Sequence, residues 1–159
     1  MLLELNVENF ALIDKLSLEF GPGLNIVTGE TGAGKSILLD AVSLLLGARS
    51  TKEMIRSGSE KTRIEGVFDI DRIDGAREIC EESGFEVLEG VLIIVREISL
   101  DGRSRCYVNG RSSTVGFLSD LGKKLVDLHG QHAHQSLLYP ENHLRLLDAF
   151  GGENLRNIR

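Results

Sequence analysis

The sequence predicts an α/β fold: a mixed sheet with antiparallel hairpins and one buried helix packed against it. Three observations predict it. Stretches of strict polar–apolar alternation mark half-buried strands. Residues 36–46 are apolar on almost every side, which marks a helix buried all round. A short apolar run, 24–28, leads into that helix through a loop with glycine at 29, 32 and 34. The chain has 159 residues, 42% of them hydrophobic and 26% charged. That is enough for one domain with a real core.

The elements follow in order. Leu3, Leu5 and Val7 alternate with Glu4, Asn6 and Glu8, and Leu16, Leu18 and Phe20 alternate with Lys15, Ser17 and Glu19. The two stretches read as an antiparallel hairpin turning through residues 9–14. Gly21-Pro22-Gly23 is a turn, and 24–28 reads as a short buried strand. The helix 36–46 stops at Gly47. A polar segment, 48–61, leads to a strand over 62–70, then a helix over 71–83 ended by Gly84. Residues 91–98 form a β-branched apolar strand. Asp101-Gly102 and Asn109-Gly110 are hairpin turns around a returning strand. Ser112 or Ser113 is placed to cap a helix carrying Val115, Leu118 and Leu121. Residues 125–128 read as a short strand. A polar stretch, 129–135, follows, and a helix opens at Pro140.

The loop before the buried helix carries the chemistry. Gly29-Glu30-Thr31-Gly32-Ala33-Gly34-Lys35-Ser36 fits G-x-x-x-x-G-K-[ST], a phosphate-binding loop. Glycines let the backbone approach a polyanion, and successive N–H groups form an anion nest. Lys35 brings positive charge to the β- and γ-phosphates. Ser36 offers a hydroxyl to magnesium, which binds through few protein ligands plus phosphates. The following helix N-terminus favours negative charge.

A complete ATP-hydrolysing site of this type needs an acidic strand end for the magnesium shell. Two stretches compete weakly for it: 91–95, followed by Arg96 and Glu97, and 125–127, with Asp127. No guanine-reading N-K-x-D occurs, which favours adenine. The chain reads as half of an ATPase.

These pieces, in this order, resemble the N-terminal half of an SMC-type ATPase head, a branch of the ABC ATPases. The matching features are Leu5, Val7, Asn9 and Phe10 in the opening hairpin, the phosphate loop, the arginine-bearing segment after it, Tyr107-Val108-Asn109-Gly110, and a glutamine loop. Glu30-Thr31 inside the phosphate loop and His129-Gly130-Gln131-His132-Ala133-His134-Gln135 resemble the RecN family of bacterial DNA repair ATPases.

The resemblance implies that residues 1–150 are the N-terminal half of a head and that 151–159 begin a coiled-coil arm. It implies ATP and Mg²⁺ as cofactors and ATP hydrolysis in the full-length protein. Gly29 to Ile37 would hold the nucleotide, with Lys35 catalytic and Ser36 a metal ligand. Gln131 would be a catalytic residue and metal ligand, with Gln135 its rival, and Arg49 would match an arginine loop reaching phosphate. Its implied partners are the remaining half of the head, a second head joined through ATP, and DNA. The expected location is the cytoplasm, at the nucleoid. Two cysteines without a C-x-x-C spacing agree with a reducing compartment, and no apolar run is long enough for a membrane span.

Other readings compete at particular residues. His129, His132 and His134 suggest zinc, but no fourth ligand is evident nearby. With a net charge of −6, DNA contacts need local patches. The only candidates are Lys52, Arg56, Lys61 and Arg63, and Arg103, Arg105 and Arg111. Both groups are interleaved with acids and read first as solvated faces. A small-metabolite kinase is the alternative function, but such enzymes need an arginine-bearing lid, and none is evident here. A non-catalytic, nucleotide-gated interaction module is a third.

Overall fold

The structure, a computed structural model, describes residues 1–28 and 32–128. The chain divides into a unit Met1–Val126 and a unit Asp127–Arg159. The described elements lie in the first. They are β1 (Leu2–Phe10), β2 (Ile13–Glu19), α1 (Gly32–Leu45), a 3-10 turn (Lys52–Met54), β3 (Lys61–Asp69), α2 (Ala76–Glu82), β4 (Val91–Ser99), β5 (Ser104–Val108), β6 (Arg111–Ser113) and α3 (Val115–Leu125).

The six strands form one sheet in the order β2-β1-β3-β4-β5-β6, and every pair is antiparallel. Period-2 alternation sorts the side chains by face. One face carries Leu5, Val7, Ile64, Phe68, Leu92, Ile94, Ile98 and Val108, all buried. The other carries a row of alternating charge across five strands: Lys15, Glu8, Arg63, Glu97 and Arg105.

The C-terminal half of α1 packs on the apolar face. Ala41, Val42, Leu44, Leu45 and Leu46 are buried. Gly66 in β3 makes the approach possible, since a methyl there would sit 2.5 Å from Leu45 Cδ2. The helix ends in a Schellman motif. The Ala48 N–H donates to Ser43 O at 3.0 Å and the Gly47 N–H to Leu44 O at 3.1 Å, with Gly47 at φ +94. α3 then packs against this corner through Gly122, where a methyl would lie 2.9 Å from Leu46 O. Leu118 and Leu121 are fully buried from α3, each contributing about 1.5–3 kcal/mol.

Several sequence expectations change. Residues 24–28 are not a buried strand: no strand is assigned, and Leu24, Ile26 and Val27 are 86%, 74% and 48% exposed. No described strand lies beside them to complete a ladder. Among the described residues the sheet is antiparallel throughout, with no parallel pair to make it mixed. The N-terminal half of α1 is likewise open, with Leu39 47% exposed, because nothing among the described residues covers it. α2 starts at Ala76 rather than 71, because Gly75 takes φ +77 just before it. The cap of α3 is Thr114, whose hydroxyl accepts from the Phe117 N–H, while Ser112 and Ser113 belong to β6. Residues 125–128 form no strand. Leu125 is the last residue of α3, and Val126 is extended without a ladder. The expected boundary at 150/151 and the helix after Pro140 lie outside the described residues.

Candidate nucleotide-binding site

α1 begins at Gly32, so Gly34, Lys35 and Ser36 lie in or next to its first turn, all exposed. The first turn carries no acidic residue. Helix-end N–H groups, the macrodipole and Lys35 therefore share a turn that holds no carboxylate, the arrangement an anion needs. Ile37, half-buried, follows on the same helix. Gly29, Glu30, Thr31 and the side chain of Ala33 lie outside the described residues. So do Gln131, Gln135, His129, His132 and His134. The described residues contain no group of three or more His, Cys, Asp or Glu able to hold a metal.

Arg49 lies beyond the C-terminal end of α1, and Lys35 lies near its start. Arg49 is exposed, and a helix rises roughly 15 Å between positions 35 and 45. Glu97, the alternative acidic residue, points to the sheet face opposite α1. There it pairs with Lys61 at 3.6 Å and Arg63 at 3.7 Å.

Sequence reading missed the wall beside the phosphate loop. A cleft of about 310 Å³ opens next to Lys35, lined by Leu12, Ile13 and Leu16 of the first hairpin, by Val27 and Thr28, and by Ile37 and Leu38. The one signal was Leu12, a large apolar residue at a hairpin tip, 74% exposed. Apolar walls beside a polar anchor are the usual form of a small-molecule site.

The segment around the 3-10 turn holds that hairpin tip. Ile55 bridges Phe10. The Ala11 N–H donates to Met54 O at 2.8 Å and the Arg56 N–H to Asn9 O at 2.9 Å. Ser59 Oγ reaches Asn9 Oδ1 at 3.1 Å, and Arg56 Nη1 donates to Leu12 O at 2.9 Å. Asn9 and Ala11 both sit at positive φ, 53° and 49°. Alanine is rare there, so the turn needs these outside bonds. Arg56→Ala is expected to loosen the cleft wall and weaken nucleotide affinity about threefold to tenfold, the net worth of one ordinary hydrogen bond. Titration with a labelled ATP analogue measures it, and unchanged affinity would show that the turn holds its shape without Arg56.

The basic candidates for DNA are mostly engaged. Lys61 and Arg63 pair with Glu97, and Arg63 also with Glu65. Arg103 pairs with Asp101 at 2.6 Å, Arg56 with Asp14 at 3.9 Å, and Arg111 Nη1 donates to Gly84 O at 2.6 Å. The sheet face is a ladder of mixed charge, as the acid-interleaved reading expects. Burial, helped by Glu81, pushes the Cys80 thiol up to about 11. Burial also raises Cys106, with Arg96 opposing it. Neither is a ready nucleophile or metal ligand.

The family model described as AAA domain matches residues 4–157. The chain is 44% identical to the DNA repair protein RecN of Halalkalibacterium halodurans over 158 residues, covering 99% of this chain and 28% of that protein. Against RecN of Bacillus subtilis the figures are 44%, 99% and 27%, and against that of Vibrio cholerae 43%, 96% and 27%. The chain thus spans little more than a quarter of these relatives' length. Among solved structures, it resembles an SMC ATPase from a study of ATP-driven dimerization and DNA-stimulated activation, with TM-score 0.63 and 22% identity, covering 92% of this chain and 97% of that one. It also resembles the recombination mediator protein RecF, with TM-score 0.58 and 25% identity, covering 74% and 29%. By its family match, the chain belongs to the AAA domain family.

Proposed function

We propose that the chain is the ATP-binding N-terminal half of an SMC-like head acting in recombinational repair of DNA double-strand breaks, with ATP held between two heads. The observation that carries this is the placement of Gly34, Lys35 and Ser36 at the start of α1, with Gly34 and Lys35 lining the apolar cleft. Lys35 and the helix-end N–H groups hold the phosphates, and the cleft takes the base and ribose through apolar contact. Leu12 and Val27 supply much of that surface.

The residues present suit magnesium: Ser36 is an oxygen ligand one position beyond the phosphate-binding lysine, on an exposed first turn. When bound, magnesium neutralises phosphate charge and orients the terminal phosphoryl group. Gln131 is proposed as the residue that completes its shell and positions water. The rest of the head is the proposed partner of residues 24–28 and the open half of α1, whose apolar side chains otherwise face water. A second head and DNA are proposed partners of the full-length protein, which would work at the nucleoid. The described helices include none long and apolar enough to cross a membrane.

The kinase alternative has no support among the relatives or the structural neighbours. Equilibrium binding of a labelled ATP analogue with and without magnesium, together with steady-state ATPase, tests the proposal. Residues 1–159 should bind weakly, in a magnesium-dependent way, and show no turnover above the Lys35→Ala control, since hydrolysis needs a positioned nucleophile and full charge stabilisation. Turnover by the chain alone that depends on Lys35 would overturn the half-site reading and favour a self-sufficient enzyme.

A further inference from the structure

Among the described residues, three buried side-chain atoms have no hydrogen-bond partner: Arg96 Nε, Arg96 Nη1 and Ser113 Oγ. They share one row of the sheet. Arg96 of β4 faces Cys106 of β5, and Cys106 faces Ser113 of β6. The row lies on the apolar face, since Arg96 also faces Ile64. Arg96 is only 2% exposed, yet the residues beside it on the same face of β4 are Ile94 and Ile98.

A guanidinium cannot shed its proton at any ordinary pH. A buried one without a counter-charge is strongly unfavourable, whereas a hydrophobic residue in its place is often neutral or better. Cys106 is its neighbour, within hydrogen-bonding reach, but that thiol stays protonated because burial raises it. No described carboxylate faces Arg96: its ladder partners are Ile64 and Cys106. Ser113 immediately precedes Thr114, the cap of α3, so the positive end of that helix adds to the field on this side.

We propose that Arg96 and Ser113 form a buried site for one carboxylate, with the guanidinium as counter-charge and the Ser113 hydroxyl as second donor. A single negative charge balances one guanidinium; a phosphate dianion would leave excess charge in a low-dielectric interior. The carboxylate is that of a small free acid. The site is separate from the phosphate loop, so it stands or falls independently of ATP binding.

Formate is the probe, titrated at constant ionic strength against residues 1–159 carrying Lys35→Ala, which keeps anions off the phosphate loop. Thermal melting and the Arg96 Nε–H resonance are the readouts. A saturable rise in Tm with a shift of that resonance is expected. It should vanish in Arg96→Met, and affinity should fall roughly tenfold in Arg96→Lys, which keeps the charge but loses hydrogen bonds to a charged group. No saturable response to formate would overturn the proposal. An unprotected Nε–H that formate does not shift, or the same formate response in Arg96→Met, would each overturn it as well. The resonance decides the matter even if Arg96→Met fails to fold.

Discussion

Lys35→Ala is expected to reduce ATP affinity by about a hundredfold or more, because each charge-assisted hydrogen bond to phosphate is worth about 1.5–3 kcal/mol. The fold should not change. Lys35 is exposed in the first turn of α1 and contributes nothing to the core, and exposed substitutions of this kind usually stay within about 0.5 kcal/mol. The loss should therefore appear in equilibrium binding of a fluorescent ATP analogue and not in a nucleotide-free melt. Binding within about threefold of the parent protein, a difference under 1 kcal/mol, would remove the phosphate loop from the account of this chain.

Gly47→Ala is expected to be the most destabilising of the conservative glycine substitutions, by about 2–5 kcal/mol. Two costs add there. Gly47 sits at φ +94, and a methyl would lie 2.6 Å from Ser119 N and 2.9 Å from both Ser119 Cα and Val115 O. Those atoms are α3 backbone, so the helix itself would have to move. Gly58 separates the two costs: it sits at φ +88 with nothing within 4 Å of an added methyl. Gly58→Ala should therefore show only the backbone penalty, about 1–2 kcal/mol. Urea denaturation of both variants measures the difference. Equal losses would mean that α1 and α3 are not locked together at this corner. A loss of this size is a large fraction of the stability of a domain this small.

Much of this fold is legible in local pattern. Alternation in residues 3–7 and 16–20 carries the first hairpin because a one-residue slip would turn Leu5 and Val7 to water. Asp101-Gly102 and Asn109-Gly110 carry the later hairpins because their turns need positive φ, seen at Gly102, Asn109 and Gly110. The phosphate loop is legible for the same reason: its glycines, lysine and serine act through spacing along the chain. Residues 24–28 misled because apolar composition states a preference for burial and does not name the partner. Those side chains stand exposed here, since burial requires a neighbouring strand that the described residues do not supply.

What the sequence determined by itself is therefore what neighbours in the chain can decide: strand alternation, turn chemistry, and a phosphate loop leading into a helix. The tertiary structure alone decided the rest. It placed Leu12 beside Lys35, bound Arg56 to the hairpin tip, turned Glu97 away from α1, and aligned Arg96, Cys106 and Ser113 in one row. Each of these depends on strand register and on which face of the sheet a helix covers. Residues far apart in the chain meet only when ladder hydrogen bonds fix that register, and no local window of sequence contains that information.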